Sequence, residues 1–318
     1  MAVTLPQAAV LSDDDLQRGI IEVFVQESPV LDRIPFLEIE GNAYAYNKEG
    51  SLPGVAFRGV NEAYVESTGT FVQATETLTI LGGDADVDTF IVATRGNLND
   101  QRAAQERLKV KAASYKFQDA FFNGDVTVEP KGFDGLKKRL VGSQVIDAGA
   151  NGIPVVGSSQ ADQFAFFDQL DELLAAVPGL TAENGAIYAN RGIQAKVRSA
   201  GRRIGGVETV REDATGKRVL TWNGVAFLDP GLNPAGGIIL PQTETVGTAT
   251  DTSSIYAVRF GEDETDGGVT GLTNGGVKVK DLGELESKPA YRTRIEFFTG
   301  VATFGGKAAA RLRGIRNA

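Results

Sequence analysis

The sequence predicts an α+β fold with two lobes, based on one long helix, several alternating strands and a region of mixed helices and short strands. At 318 residues the chain exceeds the size at which a single hydrophobic core usually keeps growing. An apolar content of 42% is sufficient to build such cores. The 39 glycines exceed the average frequency and indicate many turns and extended segments.

The composition excludes several types of catalytic and metal-binding site. The chain has no histidine and no cysteine, which excludes His-dependent triads, Cys nucleophiles, imidazole or thiolate metal sites and disulfides. The formal net charge of −9 argues against a protein-wide basic surface for nucleic acid. No basic signal segment or run of ~20 apolar residues occurs, which predicts a soluble protein. We therefore expect no enzymatic activity, no cofactor, and no catalytic or metal-binding residue.

One long helix is predicted over residues 98–122, a stretch without Gly or Pro. Asn97 is its expected N-cap, and Asn123-Gly124 its expected C-cap, with a left-handed turn there. Arg102 and Glu106 are four residues apart and are expected to pair. The predicted apolar face consists of Ala103, Ala104, Leu108, Ala112, Tyr115 and Phe121.

Residues 1–11 are predicted to be unstructured or extended. Ser12 is expected to cap a helix over residues 13–26, and Pro29 and Pro35 to keep the following chain extended. A segment of this kind has little core of its own, so we expect it to lie on another surface.

Residues 36–69 alternate with a period of two on both sides of turn-forming residues 47–54, which predicts a long hairpin with its return arm at 55–66. Such a ribbon is marginal alone in water. Two further strands are predicted within 70–94, with a turn at Gly82-Gly83. The acids expected on one solvated strand face, in preference to a cation site, are Asp84, Asp86 and Asp88.

Residues 145–260 alternate helices with short strands and predict a compact α/β lobe. Helices are expected at 160–177 and up to Ile204, and a hairpin around 213–217. The expected N-caps are Ser158 or Ser159 for the first helix and Asn190 for the second, and the expected buried residues are Phe164, Phe167, Leu170, Leu173 and Leu174. After a loop at 261–276, late strands are expected to pair with those in 70–94.

The passage that ends the long helix carries a resemblance. Phe121-Phe122-Asn123-Gly124-Asp125, followed by Gly132-Phe133-Asp134-Gly135-Leu136, is similar to the spine-helix-to-loop passage of the HK97-fold major capsid proteins of tailed bacteriophages. The resemblance implies an HK97-like capsid fold in which the expected parts are an N-terminal arm (1–36), an extended hairpin or E-loop (37–69), a peripheral domain (70–144 and 277–318) with spine helix 98–122, and an axial domain (145–276).

The same resemblance implies an assembly function. Subunits are expected to form pentamers and hexamers that close into the icosahedral virion shell around double-stranded DNA, with assembly in the host cytoplasm. The expected partners are other copies of the chain, a separate scaffolding protein, a portal and decoration proteins, with weak non-specific contact to DNA and no contact to a membrane. The residues expected at contacts between subunits are Lys48, Phe57, Arg58, Glu62, Glu66, Arg102, Lys109 and Lys116. Lys48 is also a candidate for the Lys–Asn cross-link that some relatives form.

Other motifs give no ligand site. Residues 300–307 have one residue too many for a Walker A loop and lack its Mg²⁺-binding hydroxyl. The acidic loop 262–268 lacks the bidentate Glu of a calcium loop. The basic clusters within 196–203 and 307–316 are expected to form salt bridges or solvated faces, with weak phosphate contact as the alternative.

Two alternative functions stay open. An encapsulin-like nanocompartment shell shares the fold and encloses enzymes instead of a genome, although the long arm and hairpin favour a capsid. A carboxylate-dependent hydrolase such as a glycosidase needs two acids that converge in one pocket, and no linear motif pairs them.

Overall fold

The computed structural model describes residues 3–4, 28–94, 98–204, 210–212 and 218–318. The strands in these ranges are β1 Val3–Thr4, β2 Pro35–Glu38, β3 Ala43–Ser51, β4 Thr70–Thr77, β5 Thr79–Asp88, β6 Val145–Asp147, β7 Ile153–Pro154, β8 Gly185–Tyr188, β9 Val210–Glu212, β10 Arg218–Trp222, β11 Val225–Leu228, β12 Glu244–Val246, β13 Ala249–Arg259, β14 Val269–Glu284, β15 Ala290–Thr303 and β16 Ala309–Arg316. The helices are α1 Thr89–Thr94, α2 Leu98–Asn123, α3 Leu136–Arg139, α4 Gln160–Ala175, α5 Arg191–Ile204 and a 3-10 helix at Gly142–Gln144.

Three predicted features lie outside the described residues. They are the helix at 13–26 with its cap Ser12, the N-cap Asn97, and the turn at 213–217. Among the described helices, none has both the length and the hydrophobicity needed to cross a membrane.

Two large sheets form the two lobes and confirm the α+β fold. One has five strands in the order β1-β2-β14-β15-β5. The other has nine strands, with β6-β16-β13-β8-β11-β10-β9 in order, β12 paired to β13 and β7 paired to β16. Strands β3 and β4 form a separate two-stranded hairpin.

Helix α2 packs between the two sheets and confirms the predicted long helix at almost the predicted bounds. Its buried aromatic residues are Phe117, Phe121 and Phe122, each at most 1% exposed. The predicted apolar face is wrong for Ala104, Leu108 and Ala112, which are exposed, Leu108 by 61%, whereas Phe121 is buried and Ala103 and Tyr115 are partly buried. The face that meets the core includes Glu106, which accepts a hydrogen bond of 2.6 Å from Thr293 Oγ1. Because polar residues such as Glu106 lie on the buried side of α2, the apolar pattern of the sequence did not identify the face that meets the core.

A tight corner follows α2. The Gly124 amide donates to the Ala120 carbonyl and the Gly135 amide donates to the Gly124 carbonyl, both at 2.9 Å. Gly124 is not among the residues with positive φ, so the predicted left-handed turn is wrong. The glycine is required by close approach instead, since a Cβ at position 124 would lie 2.3 Å from the Phe133 carbonyl oxygen.

Residues 28–38 belong to the core of their own subunit. Val30, Leu31 and Ile34 are fully buried, and residues 28–34 form a hydrogen-bonded turn. Strand β2 pairs in parallel with β14. The prediction that the chain stays extended after Pro29 and has little core of its own is therefore wrong here, because apolar side chains of this segment fill the cluster around Phe36.

Three strand predictions also change. Gly82-Gly83 lies inside continuous strand β5 and forms no turn. Position 82 requires glycine because β15 passes so close that a Cβ there would be 2.3 Å from the Ile295 carbonyl oxygen. Strand β14 starts at Val269, inside the predicted loop, and accommodates Gly275-Gly276 at positive φ beside a register shift. Strand β16 lies in the nine-stranded sheet beside β13, although residues 277–318 were all expected in the peripheral domain.

Helices α4 and α5 cover one side of the nine-stranded sheet. Ser159 caps α4 in a capping box with Asp162, and Asn190 accepts from the Ile193 amide at 2.9 Å to cap α5, as predicted. The buried face of α4 contains Phe166, whereas Phe164, which was predicted to be buried, is 47% exposed.

Asp84 and Asp86 lie on one face of β5 and form an ion-pair ladder instead of the solvated surface that was predicted, whereas Asp88 on the same strand is exposed as predicted. The Arg292 guanidinium donates to Asp86 at 2.6 Å, and the Arg294 guanidinium to Asp84 at 2.8 Å. Lys288 pairs with Asp86 as well. These hydrogen bonds lower the pKa of both carboxyl groups below the usual value.

The corner can be tested by adding one methyl group. Gly124→Ala is expected to lower the free energy of unfolding by roughly 3 kcal/mol, because backbone carbonyls block the new Cβ. Gly306→Ala is the matched control, since a Cβ there meets nothing within 4 Å, and its change should stay within about 0.5 kcal/mol. Equal losses in denaturant unfolding of the two variants would contradict a close-packed corner.

The ion-pair ladder predicts acid sensitivity. Because the folded-state pKa values of Asp84 and Asp86 are lowered, their stabilisation is complete above about pH 4 and is lost as the pH falls below that value. The denaturant midpoint should therefore fall between pH 4 and pH 2. The decline should be shallower in the double variant Asp84→Asn/Asp86→Asn, and identical slopes would refute the contribution of the ladder.

Candidate self-association interface

The hairpin of β3 and β4 projects a long loop from the subunit. Its register runs from Ala43 opposite Thr77 to Ser51 opposite Thr70. The return strand is therefore 70–77, and the prediction of a return arm at 55–66 is wrong. Residues 52–69 have no strand partner within the described structure and form the loop between the two strands.

The base of the hairpin is fixed to its own subunit. The Tyr46 hydroxyl donates to the Thr303 carbonyl at 3.2 Å, and its ring meets Phe304 edge-on at 4.8 Å. Burial and the neighbouring Glu76 carboxylate raise the pKa of Tyr46 to about 12. Arg139 of α3 binds both Glu76 oxygens, one of them at 2.7 Å from Nη2. The base is therefore rigid where it joins the body.

The loop beyond this base exposes an unusual number of apolar side chains. Every residue from 52 to 69 is exposed. Phe57 is as accessible as in an extended chain, at 108% of the reference area, and Val55 is 95% exposed. The other exposed apolar residues in or beside the loop are Leu52, Val60, Tyr64, Val65, Phe71 and Val72. Exposed apolar side chains concentrated in one segment are typical of a site of protein association.

The loop has internal order at its tip. The Arg58 guanidinium lies over the Tyr64 ring, 5.1 Å from its centroid, and donates to the Glu62 carbonyl at 3.1 Å. The Gly59 amide donates to the Glu62 carboxylate at 2.7 Å, and Asn61 takes the left-handed conformation, with φ of 68°. These contacts preshape the tip and reduce the ordering entropy that binding would otherwise cost.

The structure brings four of the predicted contact residues together in this loop. They are Phe57, Arg58, Glu62 and Glu66, all exposed. Lys48 lies lower in the hairpin with its ammonium 5.4 Å from the centre of the Tyr46 ring, and burial lowers the pKa of Lys48.

The remaining predicted contacts lie elsewhere. The Lys109 side chain covers Gly83 on β5, and Lys116 forms a 2.6 Å ion pair with Glu129 of its own chain. The side chain of Arg102 and its predicted pairing with Glu106 lie outside the described structure.

Sequence reasoning missed most of the exposed apolar residues of the loop. It assigned Val55 and Val60 to a strand because they fit a period of two. The signal that could have found them is the second alternating run at 70–77, which is the better strand partner for 43–51.

The described residues offer little for catalysis. They contain no group of three or more acidic side chains placed to hold a metal ion. An open cavity of about 640 Å³ includes Asp119 and Glu244 in its wall, but Glu244 is bound by Arg311 at 2.9 Å and by Lys137 at 3.6 Å. The pair of free converging acids that a glycosidase needs is therefore not formed in this cavity.

The basic residues of the C-terminal strand are also neutralised within the chain. Arg311 pairs with Glu244, Arg313 pairs with Asp147, and Arg316 pairs with Asp251 at 3.1 Å. The expectation that this cluster forms salt bridges is confirmed, and the bridges are internal to the subunit.

Comparisons with known proteins agree with this architecture. The family named Major capsid protein GP7 matches residues 12–159, just under half of the chain. The holo-SrpI encapsulin complex of Synechococcus elongatus is similar at 18% identity and a TM-score of 0.64, covering 91% of this chain and 88% of that chain. No curated protein matches the sequence.

Two further solved structures share the fold. The capsid of the native GTA particle is similar at 15% identity and a TM-score of 0.57, covering 91% of this chain and 90% of that one. A structure from Mycobacterium phage Bobi is similar at 14% identity and a TM-score of 0.59, covering 90% and 89%.

The fold is the HK97-like fold of phage capsids and encapsulins. Together with the family match, it defines a shell-forming structural protein that associates with copies of itself. Within that class, residues 12–159 of the chain are similar to the family of Major capsid protein GP7.

The hairpin anchor gives a test at the level of the subunit. Arg139→Gln is expected to lower the free energy of unfolding by about 2 kcal/mol, because it leaves the half-buried Glu76 carboxylate without its cation. Lys116→Gln removes an exposed ion pair and should change the value by less than about 0.5 kcal/mol. Similar losses in the two variants, measured by denaturant unfolding, would show that Arg139 does not anchor the hairpin.

Proposed function

We propose that this protein forms pentamers and hexamers that close into an icosahedral shell around a double-stranded phage genome. The observation that carries the proposal is the anchored hairpin with a fully exposed apolar loop. A rigid base and a preshaped apolar tip are suited to binding a separate surface, and the nearest abundant surface in a shell is the adjacent copy.

The energetics favour that arrangement. Burying one exposed valine or phenylalanine contributes about 1.5–3 kcal/mol. Several such side chains in residues 52–69 offset the cost of ordering the loop at each contact. Contacts between different patches of identical subunits can close into rings, and buried area then adds over many interfaces of the shell.

An encapsulin-like shell is the second candidate, supported by the similarity to the holo-SrpI encapsulin complex. The match of residues 12–159 to a major capsid protein family favours the capsid. Particles that contain DNA when purified from infected or induced cells would decide for the capsid, and particles loaded with an enzyme for the encapsulin.

The partners follow from the capsid function. We expect a scaffolding protein, a portal and decoration proteins, with assembly in the host cytoplasm and no enzymatic role. Contact with DNA should be weak and lost at moderate salt, because the net charge is −9 and the C-terminal arginines are already paired.

A covalent link through Lys48 is a further expectation of the resemblance. Its ammonium lies against Tyr46 of the same chain, and burial lowers its pKa, which favours the neutral, nucleophilic amine. Denaturing electrophoresis of assembled particles tests it, since a ladder of bands that disappears in Lys48→Arg indicates a cross-link.

The loop gives the decisive test of self-assembly. The unmodified chain, expressed with its scaffolding protein, should give uniform particles by negative-stain electron microscopy. Phe57→Ser/Val60→Ser should reduce particle yield at least tenfold, because it removes exposed apolar surface that the proposed contact with a second copy buries.

Phe57→Leu/Val60→Ile is the matched control and should assemble normally, because it keeps the apolar surface. Both variants should unfold like the unmodified subunit, since neither side chain packs on its own chain. Normal particle yield from the serine variant would overturn the assignment of this loop to an interface.

A further inference from the structure

Opposite charges are segregated between the two helices that cover the nine-stranded sheet. Helix α4 has no Lys or Arg, and its acidic residues are Asp162, Asp168, Asp171 and Glu172. Helix α5 has no Asp or Glu, and its basic residues are Arg191, Lys196, Arg198, Arg202 and Arg203. Their buried residues join one hydrophobic cluster, so both helices lie on the same side of the sheet.

The outer side of α4 is acidic and unpaired with any cation in the described residues. Asp168, Asp171 and Glu172 are exposed. Asp171 accepts from the Trp222 indole at 2.7 Å and Glu172 from the Gln169 amide at 3.0 Å, both neutral donors. Phe164, one turn before Asp168, is 47% exposed on the same side. Phe164, Asp168 and Glu172 are named here the acidic face.

The outer side of α5 is basic. Arg198 and Arg202 are four residues apart, and both are exposed together with Arg203. Within the part of the chain that the structure describes, no ion pair involves these three arginines, whereas Arg191 at the start of the helix pairs with Asp229 at 2.7 Å. Arg198, Arg202 and Arg203 are named here the basic face.

We propose that the acidic face of one copy docks on the basic face of the next copy, so that axial lobes associate head to tail. The inference rests on the proposed shell function and specifies one of its interfaces. The two faces are different patches, so each copy can bind a second copy through one face and a third copy through the other, and a ring forms where the rotation between copies closes. Contacts between two acidic or two basic faces are repulsive, which selects the head-to-tail arrangement.

Charge reversal and its rescue test the proposal. Asp168→Arg/Glu172→Arg and Arg198→Glu/Arg202→Glu should each lower particle yield at least tenfold. The chain that carries all four substitutions should recover assembly, because the faces are again complementary with their signs exchanged. A fourfold variant that assembles no better than either double variant would overturn the pairing of these two faces.

Mixing the two double variants gives a sharper outcome. In a ring that alternates the two variants, every contact joins a basic face to an acidic face. The reversed α4 of one variant meets the reversed α5 of the other, and the unmodified α5 and α4 meet at the next contact. Alternation closes only in rings with an even number of subunits. The mixture should therefore form hexamers without pentamers, and abundant five-membered rings in the electron micrographs would contradict the model of docking.

Conservative variants control for local damage. Asp168→Glu/Glu172→Asp and Arg198→Lys/Arg202→Lys keep the charges and should assemble like the unmodified chain. All variants should show unchanged thermal unfolding as isolated subunits, because these side chains are exposed. Assembly that fails in the conservative variants as well would show that side-chain shape, not charge, matters, and would refute the proposal.

A dilute measurement separates this inference from the shell function. Under conditions without shell closure, sedimentation should show that the two double variants bind each other but not themselves, and that added salt weakens the binding. Failure of the unmodified chain to form particles would refute the shell function alone. Absence of mutual binding in the mixture would refute the docking of the two faces, whether or not shells form.

Discussion

The burial of the C-terminal end of α2 between two sheets is the contact on which the rest of the structure depends. Phe117 packs near Phe297 of the five-stranded sheet, with ring centroids 6.1 Å apart. Further along the same helix, Phe122 packs against Tyr188 and Tyr256 of the nine-stranded sheet, at 5.2 and 5.3 Å. A single helix end thus belongs to the cores of both lobes. The glycine corner that follows is tight because the chain must turn inside this packed region.

This contact also determines where the hairpin points. The corner leads directly into α3, whose Arg139 binds Glu76 at the base of the hairpin. The aromatic pair Tyr46 and Phe304 completes the same anchor from the five-stranded sheet. The orientation of an exposed loop that is far from α2 in sequence is therefore set by the packing around α2. For a shell protein, such rigidity reduces the entropy lost when subunits associate.

The side chains that form ion pairs within the subunit and those that stay exposed and unpaired occupy separate parts of the structure. Ion pairs within the subunit, such as Asp86 with Arg292 and Arg311 with Glu244, stiffen the sheets where strands meet. The unpaired charges of α4 and α5 and the unburied apolar side chains of residues 52–69 lie outside these networks. Apolar burial supplies most of an interface's free energy, and complementary charge supplies its register and orientation. The two proposed interfaces therefore have separate physical roles.

The sequence by itself determined the local features of this protein. The long helix, the caps at Ser159 and Asn190 and the absence of imidazole or thiol chemistry follow from neighbouring residues or from composition, so they could be predicted. Tertiary structure alone decided which face of α2 is buried, because Thr293, nearly two hundred residues away, satisfies Glu106 in the core. It also decided that 70–77, and not 55–66, returns along β3, since both runs alternate and only cross-strand packing selects the register. Local signals fix elements, whereas partners distant in sequence fix their faces and pairing.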